Sequence, residues 1–199
     1  MILSLDTSLH VLSIAIVRDD GTLIGAVSME GSGSRNEKVL PAVDFMFHEN
    51  GVSRSDVKLL VGTRGPGSFT GVRIGLATLQ GLSLALDAPL RAFTTHEAVA
   101  ESDPLGTFMV VGDAGREEVY ASEFEEGILV RGPELRPRAI TSARFEVERL
   151  MHHTNIALLA ACRAIRLRAA GSLDQFDDST PSYVRMVEAE ARLLQKTDG

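Results

Sequence analysis

The chain has 199 residues, 44% of them hydrophobic, a formal net charge of −7, one cysteine and no tryptophan. That content can bury roughly 70% of the unfolded surface, in one large or two small domains. The acidic balance argues against an extended nucleic-acid groove, the lone Cys162 excludes an intrachain disulfide and multi-cysteine zinc, and no apolar run reads as long enough to span a bilayer, so a cytoplasmic protein without leader or membrane anchor is expected.

In chain order, Ile2–Leu5 reads as a strand, Asp6-Thr7-Ser8 as a turn and Val11–Val17 as a second strand. Asp19-Asp20-Gly21 then marks a hairpin turn into a third strand, Thr22–Met29. After the loop Gly31–Ser34 the spacing predicts a helix over Asn36–Asn50, ended by Gly51. Its core stripe is Val39, Leu40, Val43, Met46 and Phe47; Ala42 and Phe45 fall on the opposite side and form an apolar patch with Pro41, which should kink the helix.

Val57–Val61 is a short buried strand, and Gly65-Pro66-Gly67 a tight turn after it. Ser68 caps a helix from Phe69 to about Leu86, stopped by Asp87-Ala88-Pro89. This helix is apolar on nearly every side, so it must be covered on nearly every side, either by its own fold or by a second protein. The glycines from Gly65 to Gly75 also resemble a phosphate-cradling loop. The spacing is one residue off the dinucleotide fingerprint, however, and the lysine of a P-loop is missing.

Pro89–Phe93 is the next strand, Thr94-x-x-Glu97 a capping box that opens a short helix, and Pro104 a domain boundary. The pattern then repeats: strand Met109–Gly112, turn Asp113-Ala114-Gly115, strand Glu118–Glu125, hairpin Glu126-Gly127, strand Ile128–Arg131. Asp113 and Gly127 follow Asp6 and Gly21 at nearly the same offset, which suggests an internal duplication. Pro133–Thr141 reads as a connector and Phe145–Leu150 as a short strand. A helix over Asn155–Ala170 ends at Gly171 and carries Arg163, Arg166 and Arg168 mainly on its solvent side. An acidic loop over Leu173–Pro181, an extended Ser182–Met186 and a final helix Glu188–Lys196 complete the chain. His96 lacks a second histidine at helical spacing and reads as a surface or capping residue. Cys162 reads as packing, and no nucleophile has a placed base.

Ile2 to Ser8, Gly65 to Gly75, Asp113 with Glu118-Val119-Tyr120, and Pro181-x-Tyr183-Val184-Arg185 resemble, in that order, the bacterial TsaB (YeaZ) family. The resemblance covers Met1 to about Tyr120 and the tail around Tyr183. It implies an α/β fold of duplicated ribonuclease-H-like (actin/Hsp70-like) lobes. The first would span 1–103, joined by a C-terminal helix at 187–199; the second, shortened one would span 104–186. It further implies a non-catalytic scaffold in the formation of threonylcarbamoyladenosine beside the tRNA anticodon. The scaffold would meet tRNA only indirectly, pair with the metal-dependent catalytic subunit TsaD, work with the ATPase TsaE, and form a homodimer in isolation. The pairing would run through the two long first-lobe helices, with Pro41, Ala42, Phe45, Phe69, Arg73, Ile74, Ala77, Thr78 and Gly81 at the interface.

The catalytic relatives' metal-binding histidines correspond here to Thr95 and Val99, so neither a metal nor a cofactor is expected. Asp6, Thr7, Ser8, Asp113 and Gly115 would form a vestigial nucleotide site. Ser8 stands where a glycine is needed, whereas Asp113-Ala114-Gly115 keeps the Asp-x-Gly spacing, with Arg116 one place late. That remnant leaves an ATP-binding or ATP-hydrolysing enzyme of the same fold as the alternative, and a glycoprotease-like peptidase behind it.

Overall fold

A computed structural model describes residues 1–30 and 35–184. The expected loop Gly31–Ser34, the end of the extended tail and the final helix Glu188–Lys196 lie outside the described residues. Fourteen main elements follow one another as β1 (Ile2–Asp6), β2 (Leu12–Val17), β3 (Leu23–Met29), α1 (Arg35–Glu49), β4 (Leu59–Thr63), α2 (Phe69–Leu86), β5 (Leu90–Phe93), α3 (Thr95–Ala100), β6 (Thr107–Gly115), β7 (Glu118–Glu125), β8 (Ile128–Pro137), β9 (Phe145–Glu146), α4 (Val147–Leu150) and α5 (Ile156–Ala169).

The strands form two mixed sheets, β3-β2-β1-β4-β5 and β8-β7-β6-β9. In each, a three-stranded antiparallel meander gains a parallel strand on its first member: β4 on β1, and the two-residue β9 on β6. The second sheet is therefore a shortened copy of the first. The fold is a duplicated, ribonuclease-H-like α/β architecture of the actin type.

Strand alternation decides what covers the first sheet. Leu3, Leu5, Ile14, Ile16 and Leu60 face α1 and α2, where Val39, Val43, Met46, Phe47 and Leu79 complete one core. Ile2, Ala15, Val17, Leu59 and Val61 face the other way, onto α5. Helix α5 offers a flat side of Ala157, Ala160, Ala161 and Ala164, all fully buried. The same core runs on through Phe93 and Val99 to Phe108, Phe124 and Val147 of the second half. Both sheets thus share one hydrophobic interior, and α5 packs against β1, β2 and β4 of the first sheet although it follows the second in sequence.

Polar groups are buried in that shared interior. His96 is fully buried, its Nδ1 2.7 Å from Ser122 Oγ on β7. The expectation of a surface histidine is thereby corrected; α3 is wedged between α5 and β6, so its whole length is covered. Arg163 is only 3% exposed. It donates to Gly127 O in the β7–β8 turn at 3.1 Å and to Glu97 Oε1 at 3.4 Å. Arg166 forks onto Glu101 through Nε and Nη2, at 2.9–3.1 Å. The arginines of α5 are therefore not a solvated stripe. Glu97 on α3 and Glu101 at its C-cap aim a matching pair of carboxylates at Arg163 and Arg166, and Arg168 pairs separately with Asp19 at 2.6 Å.

Three local expectations also change. Asp113-Ala114-Gly115 belongs to β6, and the reversal comes at Arg116-Glu117, both at positive φ. Pro133 does not open a connector, because β8 continues to Pro137. Phe145–Leu150 contributes two strand residues before it turns into α4.

The seat of α2 is unusually close. Ser68 N donates to Ser8 O at 2.7 Å, and a Cβ on Gly67 would stand 2.3 Å from that oxygen. One turn on, Thr7 Oγ1 donates to Gly71 O at 2.7 Å, and a Cβ on Gly75 would stand 2.3 Å from Thr7 Oγ1. Only glycine admits such an approach.

Two outcomes follow. Gly75→Ala gains helix propensity, but it forces apart a contact whose far side is pinned by a hydrogen bond. The net effect in urea unfolding is a loss of about 1–2 kcal/mol. His96 supplies a pH dependence: burial pulls its pKa from 6.5 to about 3, so the unfolded chain binds the extra proton between those values. Its contribution is intact above the unfolded pKa and is lost as pH falls through that window, by about 2 kcal/mol between about pH 7 and pH 5. Unfolding curves at the two pH values should differ by that amount, and by less in His96→Gln.

Candidate docking face and interlobe cleft

Helix α2 has the length and composition of a membrane span, with mean hydropathy 1.3 over Phe69–Leu86, yet only 28% of it is buried. This corrects the view that no apolar run is long enough. Thr70, Thr78, Gln80 and Ser83 break the run to the eye but weigh less than the leucines around them. The helix is laid along the first sheet, and its buried residues are Gly71, Val72, Gly75, Leu76 and Leu79. With that face turned inward, a line of Arg73, Ala77, Gln80 and Leu84 is turned outward. Leu84 is 87% exposed.

Helix α1 lies beside α2 and adds Phe45 and Leu40, both just over half exposed. Between the two helices runs a groove of about 630 Å³ walled by Leu40, Pro41, Phe47, Leu82, Ala85 and Leu86. Asp44 and Arg54 close one edge as a 2.6 Å ion pair.

Of the nine residues assigned to an interface from the sequence, Pro41, Phe45, Phe69, Arg73, Ala77 and Gly81 are exposed, and Ile74 and Thr78 are half-buried. Ala42 is buried at 6% exposure, so it packs in the core rather than on the outer side. Leu40 makes the opposite correction: assigned to the core stripe, it lies on the surface. Val39, Val43, Met46 and Phe47 are buried as expected, so only the edge of the stripe differs, with Ala42 covered in place of Leu40. Leu84 was missed altogether. Its signal was present in the spacing Arg73, Ala77, Gln80, Leu84, the i, i+4, i+7, i+11 line of one helix face.

The second candidate region is the turn after β1. Asp6, Thr7 and Ser8 are each 1% exposed. Asp6 Oδ1 accepts from Ser8 N at 3.0 Å, Ser8 Oγ at 2.6 Å and Thr63 Oγ1. Ser8 Oγ also lies 3.0 Å from Thr95 Oγ1. Asp6 Oδ1 and the Ser8 hydroxyl are thus engaged within the turn and with Thr63 and Thr95, and Thr7 with Gly71. Ser8, Asp113 and Gly115 do come together, with Gly67, Tyr120 and Glu148, around a cleft of about 250 Å³ between the two halves. Asp6 and Thr7 lie beneath it.

The cleft is small for a nucleotide, since ligand pockets run from about 300 Å³ upward. Its fixed charges are also unfavourable to phosphate. Glu148 Oε1 accepts from Asp113 N at 2.7 Å, and Asp113 Oδ1 accepts from Arg138 Nη2 at 2.5 Å. Two carboxylates therefore face the space against one already engaged guanidinium. At the α2 N-terminus, Ser68 N is used by Ser8 O and Gly71 N by Ser68 Oγ at 3.3 Å. Thr95 and Val99 are fully buried, and among the described residues no three His, Cys, Asp or Glu side chains are grouped to hold a metal.

Residues 25–176 match the family model described as TsaD: tRNA N6-adenosine threonylcarbamoyltransferase. The tRNA threonylcarbamoyladenosine biosynthesis protein TsaB of Bacillus subtilis is 32% identical over 132 residues, 64% of this chain and 57% of that protein. The TsaB of Escherichia coli is also 32% identical, over 62% of this chain and 54% of its own length. The match therefore spans little more than half of either relative. The Haemophilus influenzae TsaB is 26% identical over 98% of this chain and 87% of that one. YeaZ from Pseudomonas aeruginosa superposes with a TM-score of 0.72 at 24% identity, covering 92% of this chain and 98% of that one, which shows a common fold. With its paired sheets, its apolar helix seated on glycines and these relatives, the chain belongs to the TsaB (YeaZ) family, within the wider group described by the TsaD model.

Proposed function

We propose that this protein is the non-catalytic scaffold of the assembly that makes threonylcarbamoyladenosine in tRNA, and that it docks onto the catalytic subunit TsaD through the exposed faces of α1 and α2. The observation that carries the reading is the exposure of α2: on a helix with mean hydropathy 1.3, Phe69, Ala77, Leu84 and Ala85 face water. A contiguous apolar patch of this kind marks a contact with another macromolecule. Leu40, Leu82 and Leu86 line a groove that a helix of a sister subunit would fill, and Phe45 and Leu84 are exposed on the same two helices. In the absence of that subunit the same face would pair with a second copy of this chain. The name borne by the Bacillus subtilis and Escherichia coli relatives supplies the pathway. The ATPase TsaE would join the pair, and tRNA would be met through TsaD.

The non-catalytic part of the reading rests on the cleft. Asp6, Thr7 and Ser8 are tied up internally, and Asp113 and Glu148 face the space where a nucleotide's phosphates would sit.

Phe45→Asp and Ala77→Glu should each abolish co-purification with the cognate TsaD and shift self-association to monomer in sedimentation, with unchanged circular dichroism and unfolding midpoint. A charge trapped in such a contact costs about 3–5 kcal/mol. Unaltered pairing in both would refute the surface. Calorimetric titration with ATP and Mg²⁺ should give no saturable heat; micromolar binding lost in Asp113→Ala would favour the enzyme reading.

A further inference from the structure

A segment far along the chain lies over the start of α2. Arg64 Nη1 donates to Asp178 Oδ2 at 2.9 Å, Gln80 Nε2 to Ser179 Oγ at 3.2 Å and Ser182 N to Arg64 O at 2.7 Å. This strap delivers Tyr183 to the outer side of α2. There the Tyr183 ring stacks on Phe69, with centroids 5.2 Å apart and planes inclined by 30°. Arg73 lies over the same Phe69 ring, its Cζ 3.8 Å from the centroid, and donates from Nε to Tyr183 Oη at 2.7 Å. The three side chains hold one another in place at the surface.

Charge separates Arg73 from most arginines around it. Arg54, Arg64, Arg91, Arg138, Arg144 and Arg166 each sit on a carboxylate. Arg73 has none among the described residues, in a chain whose net charge is −7. A guanidinium offers five N–H donors. Here Nε is engaged and one face lies on an aromatic ring, so the Nη edge, the part that forks onto a carboxylate, points away from the stack. The rotamer is fixed before any partner arrives, which removes much of the entropy cost of using an arginine at an interface. Aromatic rings and arginine are also the side chains in which interface energy concentrates.

We propose that Phe69, Arg73 and Tyr183 form a preassembled anchor at one end of the docking face, and that the sister subunit brings an Asp or Glu carboxylate onto Arg73. The inference rests on the docking reading above and adds two things to it. The strap around Tyr183 becomes part of the binding surface, and the partner's helix acquires a required charge. The apolar line Ala77, Gly81 and Leu84 supplies area; Arg73 supplies register.

The experiment is a binding isotherm of the full chain with the cognate TsaD at several salt concentrations, for the native protein and for Arg73→Gln, Tyr183→Phe, Tyr183→Ala and Leu84→Glu. Tyr183→Phe, which keeps the ring and loses the acceptor, should weaken binding about fivefold. Tyr183→Ala should weaken it at least about tenfold. Arg73→Gln should weaken it by a similar factor and flatten the salt dependence, a readout that loss of packing alone would not move. Leu84→Glu tests the face without touching the stack. If it prevents pairing while the Arg73 and Tyr183 variants bind with native affinity and salt slope, the anchor is refuted and the face stands. If Leu84→Glu binds normally, the docking reading falls and the anchor with it.

Discussion

The close approach of α2 to the turn after β1 governs most of what this molecule presents to its surroundings. Thr7 Oγ1 reaches Gly71 O at 2.7 Å, and Gly67 and Gly75 leave no room for a side chain against Ser8 and Thr7. A helix seated this way buries Gly71 and Gly75 together with Val72, Leu76 and Leu79. Phe69 and Leu84 are left for the outside. The same contact ties the Ser68 amide at the helix N-terminus to the carbonyl of Ser8, which leaves one donor fewer for an anion. One packing decision therefore makes a sticky outer face and a poor phosphate site together.

The two halves are not independent bodies joined by a linker. Helix α5 lies on the first sheet by way of four alanines, and its core is continuous with Phe108 and Phe124 of the second. Across this seam Arg163 ties α5 to Glu97 on α3 and to the carbonyl of Gly127 in the second half. His96 reaches Ser122 across the same seam. Buried charge adds little net stability by itself, but it strongly disfavours any arrangement that separates the partners.

Much of this was readable from residue order. Ser68 as cap, the span Phe69–Leu86 and its stop at Asp87 follow from local chemistry; Ser68 Oγ does accept from Gly71 N, and Asp87 adopts the left-handed conformation that ends helices. The capping box Thr94–Glu97 is likewise local. The repeat of strand, turn and strand was visible because β-meanders carry their own turn residues. What was not readable depends on neighbours distant in sequence. His96 and Arg163 look like surface residues on their own helices, and become core residues only when α3 and α5 are pressed together. Ala42 and Leu40 exchanged places because the edge of the α1 stripe is set by packing on β2 and on α2, both distant in sequence. The strap over α2 was invisible for the same reason: nothing near Tyr183 in sequence indicates that Phe69 and Arg73 wait for it.

The seam at Arg163 has a mechanical corollary. Opening the gap between the halves would part Arg163 from either Glu97 or the Gly127 carbonyl and leave a buried guanidinium short of one partner, at a few kcal/mol at most, about 1–3 for the carbonyl. That cost adds to the shared hydrophobic core in favouring the present width of the gap. On the proposed function, such a body would serve as a stiff jig, and the opening and closing of the assembly around it would fall to its other members.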